Sequence, residues 1–358
     1  MSGAPGSATT TAAPARDAGA TRARPGGRGG RHPRLRRRTA LAVLCAVALV
    51  VAVVALGLGD YPLSPLEVLR ALAGGDGFAS TIVLQWQLPR VLAALVLGAA
   101  LGVSGALFQS LTRNPLGSPD VIGFATGSYT GAIVVIVAGG TSWAATAGGA
   151  LVGGIATALV VYLLAHRRGV AGLRLIVVGI AVTALLHSVN SWLLLRARTE
   201  VALTANFWGS GSLALVGWQQ LVPALVALAV LAPLVAAVAP PLRQLELGDD
   251  AARAHGTRVE GARLAVVVVG VALTAVVTAV SGPLAFVALA APQLARRVTR
   301  SAGVPLVASA VTAGVLLLVA DVVAQRIGTS PVPVGLVTLV LGGGYLLTLL
   351  ARETRRSR

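Results

Sequence analysis

Apolar residues do not alternate with polar ones along this chain; they run. Stretches rich in Ala, Val, Leu and Gly recur at about 40–58, 88–110, 121–139, 143–165, 173–195, 220–239, 262–281, 283–297, 304–326 and 333–351. A helix needs roughly 20 mostly apolar residues to cross the hydrocarbon of a bilayer. The pattern therefore predicts about ten membrane helices, the eighth short enough to cross tilted or partly buried against its neighbours. Two polar interruptions stand out, "RNPLGSPD" (Arg113 to Asp120) and the longer segment from Arg243 to Arg263.

Composition supports the same class. Hydrophobic residues make up 56% of the 358 and charged residues 11%. Soluble domains carry about 25% charged residues, so this chain could not cover itself in water. The fold class is an all-α polytopic membrane protein. Residues 1–38 lack an apolar period and read as a disordered, Arg-rich cytoplasmic tail. A ten-helix domain follows over 39–352, then a basic tail over 353–358. "RRRTALAVLCAVALVV" could begin a twin-arginine signal, but its apolar stretch is long for one and is read as an uncleaved first span.

The net charge of +17 suggests nucleic acid until its distribution is considered. Nine arginines precede residue 39, and most others end apolar runs, as in "AHRRG" (Ala165 to Gly169) and "RRVTR" (Arg296 to Arg300). That is the positive-inside pattern. It implies a lipid bilayer rather than nucleic acid, places both termini in the cytoplasm and requires an even number of spans. Arg196 and Arg198 depart from it, falling outside.

Every basic residue apart from histidine is arginine. A Walker A loop needs its lysine for the β- and γ-phosphates, so ATP and its Mg²⁺ would have to be bound by another subunit, and no cofactor is expected in this chain. Cys45, the one cysteine, reads as a small hydrophobe. His32, His166, His187 and His255 lack metal-ligand spacing, so no metal site is expected. No nucleophile–base pair or paired catalytic carboxylates stand out.

Pro115 and Pro119 stop a helix after the second run. Irregular backbone is not tolerated in contact with lipid, so "RNPLGSPD" belongs to the headgroup region or the protein interior. In the next run, Gly123, Gly127 and Gly131 have the spacing of closely packed helices. "LGDDAARAHG" (Leu247 to Gly256) has helix-start chemistry in Asp249 and Asp250, and Gly256 is placed to stop that helix in left-handed geometry. It is either a passive connector or a docking surface. Asp321, His187 and Asn190 are polar groups inside spans, functional candidates by default, although Asp321 could instead pair with an arginine. Trp192, Trp208 and Trp218 fit interfacial positions. "VSGALF" (Val103 to Phe108) recurs as "VSGPLAF" (Val280 to Phe286) five spans later, as an inverted repeat would.

The stretch "LPRVLAALVLGAALGVSGALFQSLTRNPLGSPDVIGFATGSYTGA" closely resembles the permease subunits of iron–siderophore, haem and cobalamin ABC importers. The resemblance continues through "LELGDDAARAHG", "VSGPLAFVALAAPQLAR", "LLLVADVVAQR" and "PVPVGLVTLVLGGGYLLTLL", covering about 40–351. It implies a ten-helix permease with an inverted repeat of helices 2–5 and 7–10. Its partners would be a second copy or paralogue, two cytoplasmic ATPases and an extracellular binding protein. Leu247, Gly248, Asp249, Asp250, Ala251, Arg253 and Gly256 fall in the ATPase-coupling region, and Arg90 and Arg326 at binding-protein docking positions. Ser104, Gly105, Gln109, Arg113, Asn114, Pro115, Ser281 and Gly282 are assigned to the translocation path or its gate.

Three positions depart from the family pattern: Gln87, Gln293 and the triplet Gly342-Gly343-Gly344. The implied function is ATP-driven alternating access for an iron chelate, foremost a ferric siderophore, with cobalamin or haem as the alternative cargo. An ion-coupled secondary transporter using Asp321 and His187 is the rival of a different class.

Overall fold

The computed structural model describes residues 33–59, 61–75, 77–165, 172–301, 303, 305–327 and 332–356. All regular structure among them is helical. In chain order the helices are α1 (Pro33–Gly57), α2 (Pro65–Leu72), α3 (Phe78–Thr81), α4 (Leu88–Thr112), α5 (Phe124–Val137), α6 (Trp143–Ala165) and α7 (Gly172–Arg196). Then come α8 (Thr199–Gly209), α9 (Trp218–Glu246), α10 (Asp249–Ala254), α11 (Val259–Ser281), α12 (Val287–Thr299), α13 (Leu306–Ala324) and α14 (Val334–Arg356). Each of the ten apolar runs coincides with a helix. Among the described residues, seven helical stretches are long and apolar enough to cross a membrane.

The three remaining runs give shorter apolar stretches. Phe124–Val137 is a short helix, and α14 is apolar over Val334–Thr348. The eighth run yields only α12, whose 13 residues extend about 20 Å and end in Arg296 and Arg297. Gly282 at φ 71° ends α11, and Pro283 adds no N–H to continue it. Helix α12 begins inside the bundle, its Ala288 backbone against Gly105 of α4.

Helix α4 is the central element, packed by α13, α11, α12 and α9. Gly98, Gly102 and Gly105 line one of its faces. A Cβ on Gly98 would lie 2.7 Å from the Ala313 carbonyl oxygen, and at Gly102 and Gly105 it would collide with Ser309 and Ala288. The pair α5 and α6 closes the same way, Gly131 lying against Gly149 and Gly153. Small residues permit such approach between membrane helices, where lipid supplies little hydrophobic drive. The glycine spacing in "VIGFATGSYTGA" is thus a packing device.

The central helix starts earlier than the apolar run suggests. Phe78–Thr112 is continuous over 35 residues, because a π turn at Ile82–Gln87 leads into Pro89. Within it the Leu88 N–H bonds to Val83, and Pro89 has no N–H to offer. The carbonyl of Leu84 is left free by this arrangement, and the indole of Trp218 donates to it at 2.9 Å. A tryptophan expected to be only an interfacial anchor closes a backbone defect.

The ends differ from expectation in detail. Helix α1 begins at Pro33, inside the segment expected to be a tail, with proline in the first turn where its missing N–H is harmless. Residues 1–32 lie outside the described residues. At the other terminus α14 continues to Arg356, through most of the expected basic tail.

The two VSG segments have different local structure. Val103–Phe108 lies inside α4, whereas Val280–Phe286 spans the end of α11 and the break after it. A closer correspondence lies elsewhere. The short helices α5 and α12 both follow a left-handed residue, Gly123 at φ 76° and Phe286 at φ 66°. For phenylalanine that conformation is costly, and its ring packs into the space left by Gly342 of α14.

Candidate functional site

The chain stop after α4 builds one end of the bundle. Arg113 takes the left-handed conformation at φ 49°, and the Asn114 N–H returns to the Gln109 carbonyl at 3.2 Å. The Asn114 side chain then accepts from Leu116 N–H at 2.9 Å, an Asx-type turn. The Arg113 and Asn114 N–H groups thus cap the Ser110 and Gln109 carbonyls in the last turn of α4.

Four polar links leave this turn. Gln109 Nε2 donates to the Leu289 carbonyl at 2.8 Å. Ser110 Oγ donates to Glu246 at 2.6 Å. Arg113 Nη2 donates to Asp249 Oδ1 at 2.7 Å. The Pro115 carbonyl accepts from Gln293 Nε2 at 2.7 Å, and the Tyr345 hydroxyl donates to Gln293 Oε1 at 3.2 Å. Gln293 thus joins the turn to α12 and α14. A cavity of about 230 Å³ opens beside the turn, lined by Gln109, Arg113, Asn114, Pro115, Glu246 and Arg296.

The short helix α10 forms as its sequence suggests, with Gly256 left-handed at φ 81° behind it. It has two faces. Ala252 is fully buried, clustered with Leu245, Val259 and Leu111 of α4. Just before the helix Leu247 is 71% exposed, and Asp250 is fully exposed, its only ion pair among the described residues being with Arg253 on the same helix. Asp249 points back into the protein, where Arg263 Nη2 donates to its second oxygen at 2.6 Å.

Asp120 sits half-buried in the 3₁₀ turn Pro119–Ile122. Burial pushes its carboxyl up to about 7.

The opposite end carries Arg90 and Arg326. Arg90 Nε and Nη2 donate to the two oxygens of Asp321 at 2.8 and 2.9 Å, and Gln325 adds a third bond to the same carboxylate at 2.9 Å. This is the planar, bidentate pairing that guanidinium favours. Arg326 is exposed and donates to the Leu58 carbonyl at 2.7 Å.

Several expected path residues lie inside the packed helix bundle. Ser104 is fully buried and bonded to Gly270 and Thr274. Gly105 lies against Ala288, Ser281 bonds back to Val277, and Gly282 packs against Trp208. Gln109, Arg113, Asn114 and Pro115 do come together, at the cavity beside the turn. Sequence reasoning missed Glu246 and Tyr345, whose partners are distant in the chain. The signal for Glu246 was an acidic residue one turn before the Asp249–Asp250 pair.

On α7, His187, Ser188 and Ser191 are exposed. Asn190 is buried, with neither amide atom bonded among the described residues.

Residues 41–352 match the model of the FecCD transport family. The chain belongs to that family. It is a multi-pass membrane protein, and its family is one of transport permeases. It is 46% identical over 316 residues to the ferric enterobactin transport system permease protein FepG of Escherichia coli K12, covering 88% of this chain and 96% of FepG. It is 35% identical over 325 residues to the achromobactin transport system permease protein CbrC of Dickeya dadantii, covering 88% of this chain and 91% of CbrC. A solved metal-chelate type ABC transporter in an inward-facing conformation superposes with a TM-score of 0.77 at 27% identity, covering 88% of this chain and 99% of that one. The FecCD match spans both ends of the bundle described above, so the α4 turn, α10 and the Arg90–Asp321 pair all lie inside it.

Proposed function

We propose that this FecCD-family chain is the permease subunit of an ABC importer that passes a ferric siderophore through the cytoplasmic membrane. The observation that carries the reading is α10 and its approach, where Leu247 just before the helix and Asp250 within it are offered to solvent beside a buried face tied to α4. A chain without lysine has no Walker A loop of its own, so an exposed helix at the foot of the bundle is where a separate ATPase would push. Leu247, Gly248, Asp249, Asp250, Ala251, Arg253 and Gly256 form this coupling element, and two ATPases serve a pair of permeases.

The arginine distribution sets the α10 end in the cytoplasm and the Arg90 end outside. A binding protein docks at the outer end, where exposed Arg326 meets its acidic groups and Arg90 holds the frame from behind. A second permease copy covers the polar stripe of His187, Ser188 and Ser191. Left to lipid, such a stripe is unfavourable; between two copies it borders a passage wide enough for a chelate. Gln109, Arg113, Asn114 and Pro115 stand at the inner mouth of this passage. Ser104, Gly105, Ser281 and Gly282 act behind its wall, letting the helices that form it close-pack. ATP drives the change of access by favouring one of two states, which requires differential binding to them.

The iron-chelate cargo follows the names of the two relatives, both siderophore permeases. The decisive measurement is uptake of ferric enterobactin into proteoliposomes holding the permease, its ATPase and its binding protein. Uptake that requires ATP supports the reading. Uptake by the permease alone, driven by a pH gradient, would overturn it in favour of an ion-coupled carrier.

A further inference from the structure

The two neighbouring aspartates of α10 face opposite ways, and the last turn of α4 is tied to only one of them. We propose that the Arg113–Asp249–Arg263 fork is the transmission link of the transporter. It carries displacement of α10 into the end of α4, while Asp250 and Leu247 face the ATPase. This deepens the ATP-coupled reading above and rests on it.

The argument starts from geometry. Each oxygen of Asp249 is held by a different arginine, Arg113 at 2.7 Å and Arg263 at 2.6 Å. Charge-assisted bonds this short are the stronger class. Arg263 is largely buried in the first turns of α11, and Arg113 lies just past the end of α4. One carboxylate therefore ties three helices. Asp250, next in sequence, makes no contact outside its own helix among the described residues.

Two further contacts bind the same elements. Leu111 of α4 packs on the small apolar cluster of Leu245, Ala252 and Val259, and Ser110 bonds Glu246 at the end of α9. Ser110, Leu111 and Arg113 thus all grip the α9–α10–α11 corner. A helix of six residues held by one buried alanine and one carboxylate moves as a rigid piece, and α4 moves with it.

Arg113 itself adopts left-handed backbone, uncommon for a residue with a long side chain. Only packing that over-determines the position holds such a residue there. Its guanidinium reaches Asp249 from that position, across the rim of the 230 Å³ cavity. That cavity leaves room for the end of α4 to shift. Beyond Arg113 the chain passes the movement on, since Gln293 holds the Pro115 carbonyl to α12 and Tyr345 of α14.

The test uses the assembled permease–ATPase complex in proteoliposomes, with ferric enterobactin as cargo. Arg113→Gln should retain the ATPase at wild-type stoichiometry and still hydrolyse ATP. The siderophore delivered per ATP should drop by about tenfold, the size of an ordinary coupling energy. Arg113→Lys, which keeps a charge within reach of Asp249, should recover much of the ratio. If Arg113→Gln does not fold, Arg263→Gln removes the other arm and is read the same way.

An unchanged transport-to-hydrolysis ratio in Arg113→Gln would overturn the link. Loss of the ATPase from the Arg113→Gln complex would overturn it too, since the arginine would then serve docking. Wild-type complex that shows no ATP-dependent uptake at all would instead bring down the transport reading on which the link rests.

Discussion

Arg90 and Asp321, 231 residues apart in the chain, meet in a two-bond ion pair at one end of the bundle. The carboxylate is almost fully buried and the guanidinium mostly so, with side-chain exposures of 3% and 17%. The pair clamps α4 to α13, which approach closely where Gly98 and Gly102 meet the backbone of Ala313 and Ser309. Breaking one side of such a pair leaves a buried charge without compensation. Asp321→Ala should lower stability by about 3 kcal/mol or more, seen as a drop in the melting temperature of the purified protein. The double variant Arg90→Leu with Asp321→Leu should lose less than Asp321→Ala alone. A melting temperature unmoved by Asp321→Ala would remove the clamp from the account.

Asp120 gives a pH signature. Its carboxyl is raised from 3.8 to about 7 by burial, so the folded chain keeps a proton that the unfolded chain releases. Between these values the folded state binds more protons, and stability therefore falls as pH rises from about 4 to about 7, then levels off. Asp120→Asn should flatten that slope and melt higher than wild type at pH 8. Parallel melting curves for the two proteins from pH 4 to 8 would contradict the assignment.

At the foot of the bundle, Leu247 just before α10 and Asp250 within it both face outward. Leu247→Asp and Asp250→Arg should each weaken ATPase binding by about 2 kcal/mol, roughly thirtyfold, as central contacts do. Neither side chain supports the fold, so the melting temperature of the isolated permease should stay within about 2 °C of wild type. Co-purification with the ATPase at a wild-type ratio would exclude this face as the docking site.

Gly105 is a packing test. A side chain there would run into the Ala288 backbone of α12, which cannot rotate out of the way. Gly105→Val should destabilise by about 3 kcal/mol and reduce the yield of folded protein. Gly148, which has open space where a Cβ would stand, should accept valine with little change. Equal behaviour of the two variants would show that α4 and α12 are not locked there.

The sequence alone determined the class of this protein. Ten apolar runs and few charges require lipid around the chain, and a helix is the form that satisfies its own backbone there. The short α10 was also legible, because an Asp-Asp start and a Gly256 stop are local backbone chemistry. So was the break after α4, where two prolines forbid continuation.

Tertiary structure decided which side chains meet. Asp249 and Asp250 are adjacent and chemically identical in the sequence, yet one faces two arginines and the other faces solvent. Asp321 could be read as an ion site or as half of a pair, and only the packing of α13 on α4 brings it to Arg90. Ser104 and Ser281, polar residues in apolar runs, are buried and bonded to Gly270, Thr274 and Val277 of α11. The physical reason is common to all of them. Helix formation is governed by hydrogen bonds a few residues apart, whereas an ion pair depends on crossing distances set by glycines on a different helix. The Gly98–Gly102–Gly105 face brings α4 against α12 and α13, and the site follows from that approach.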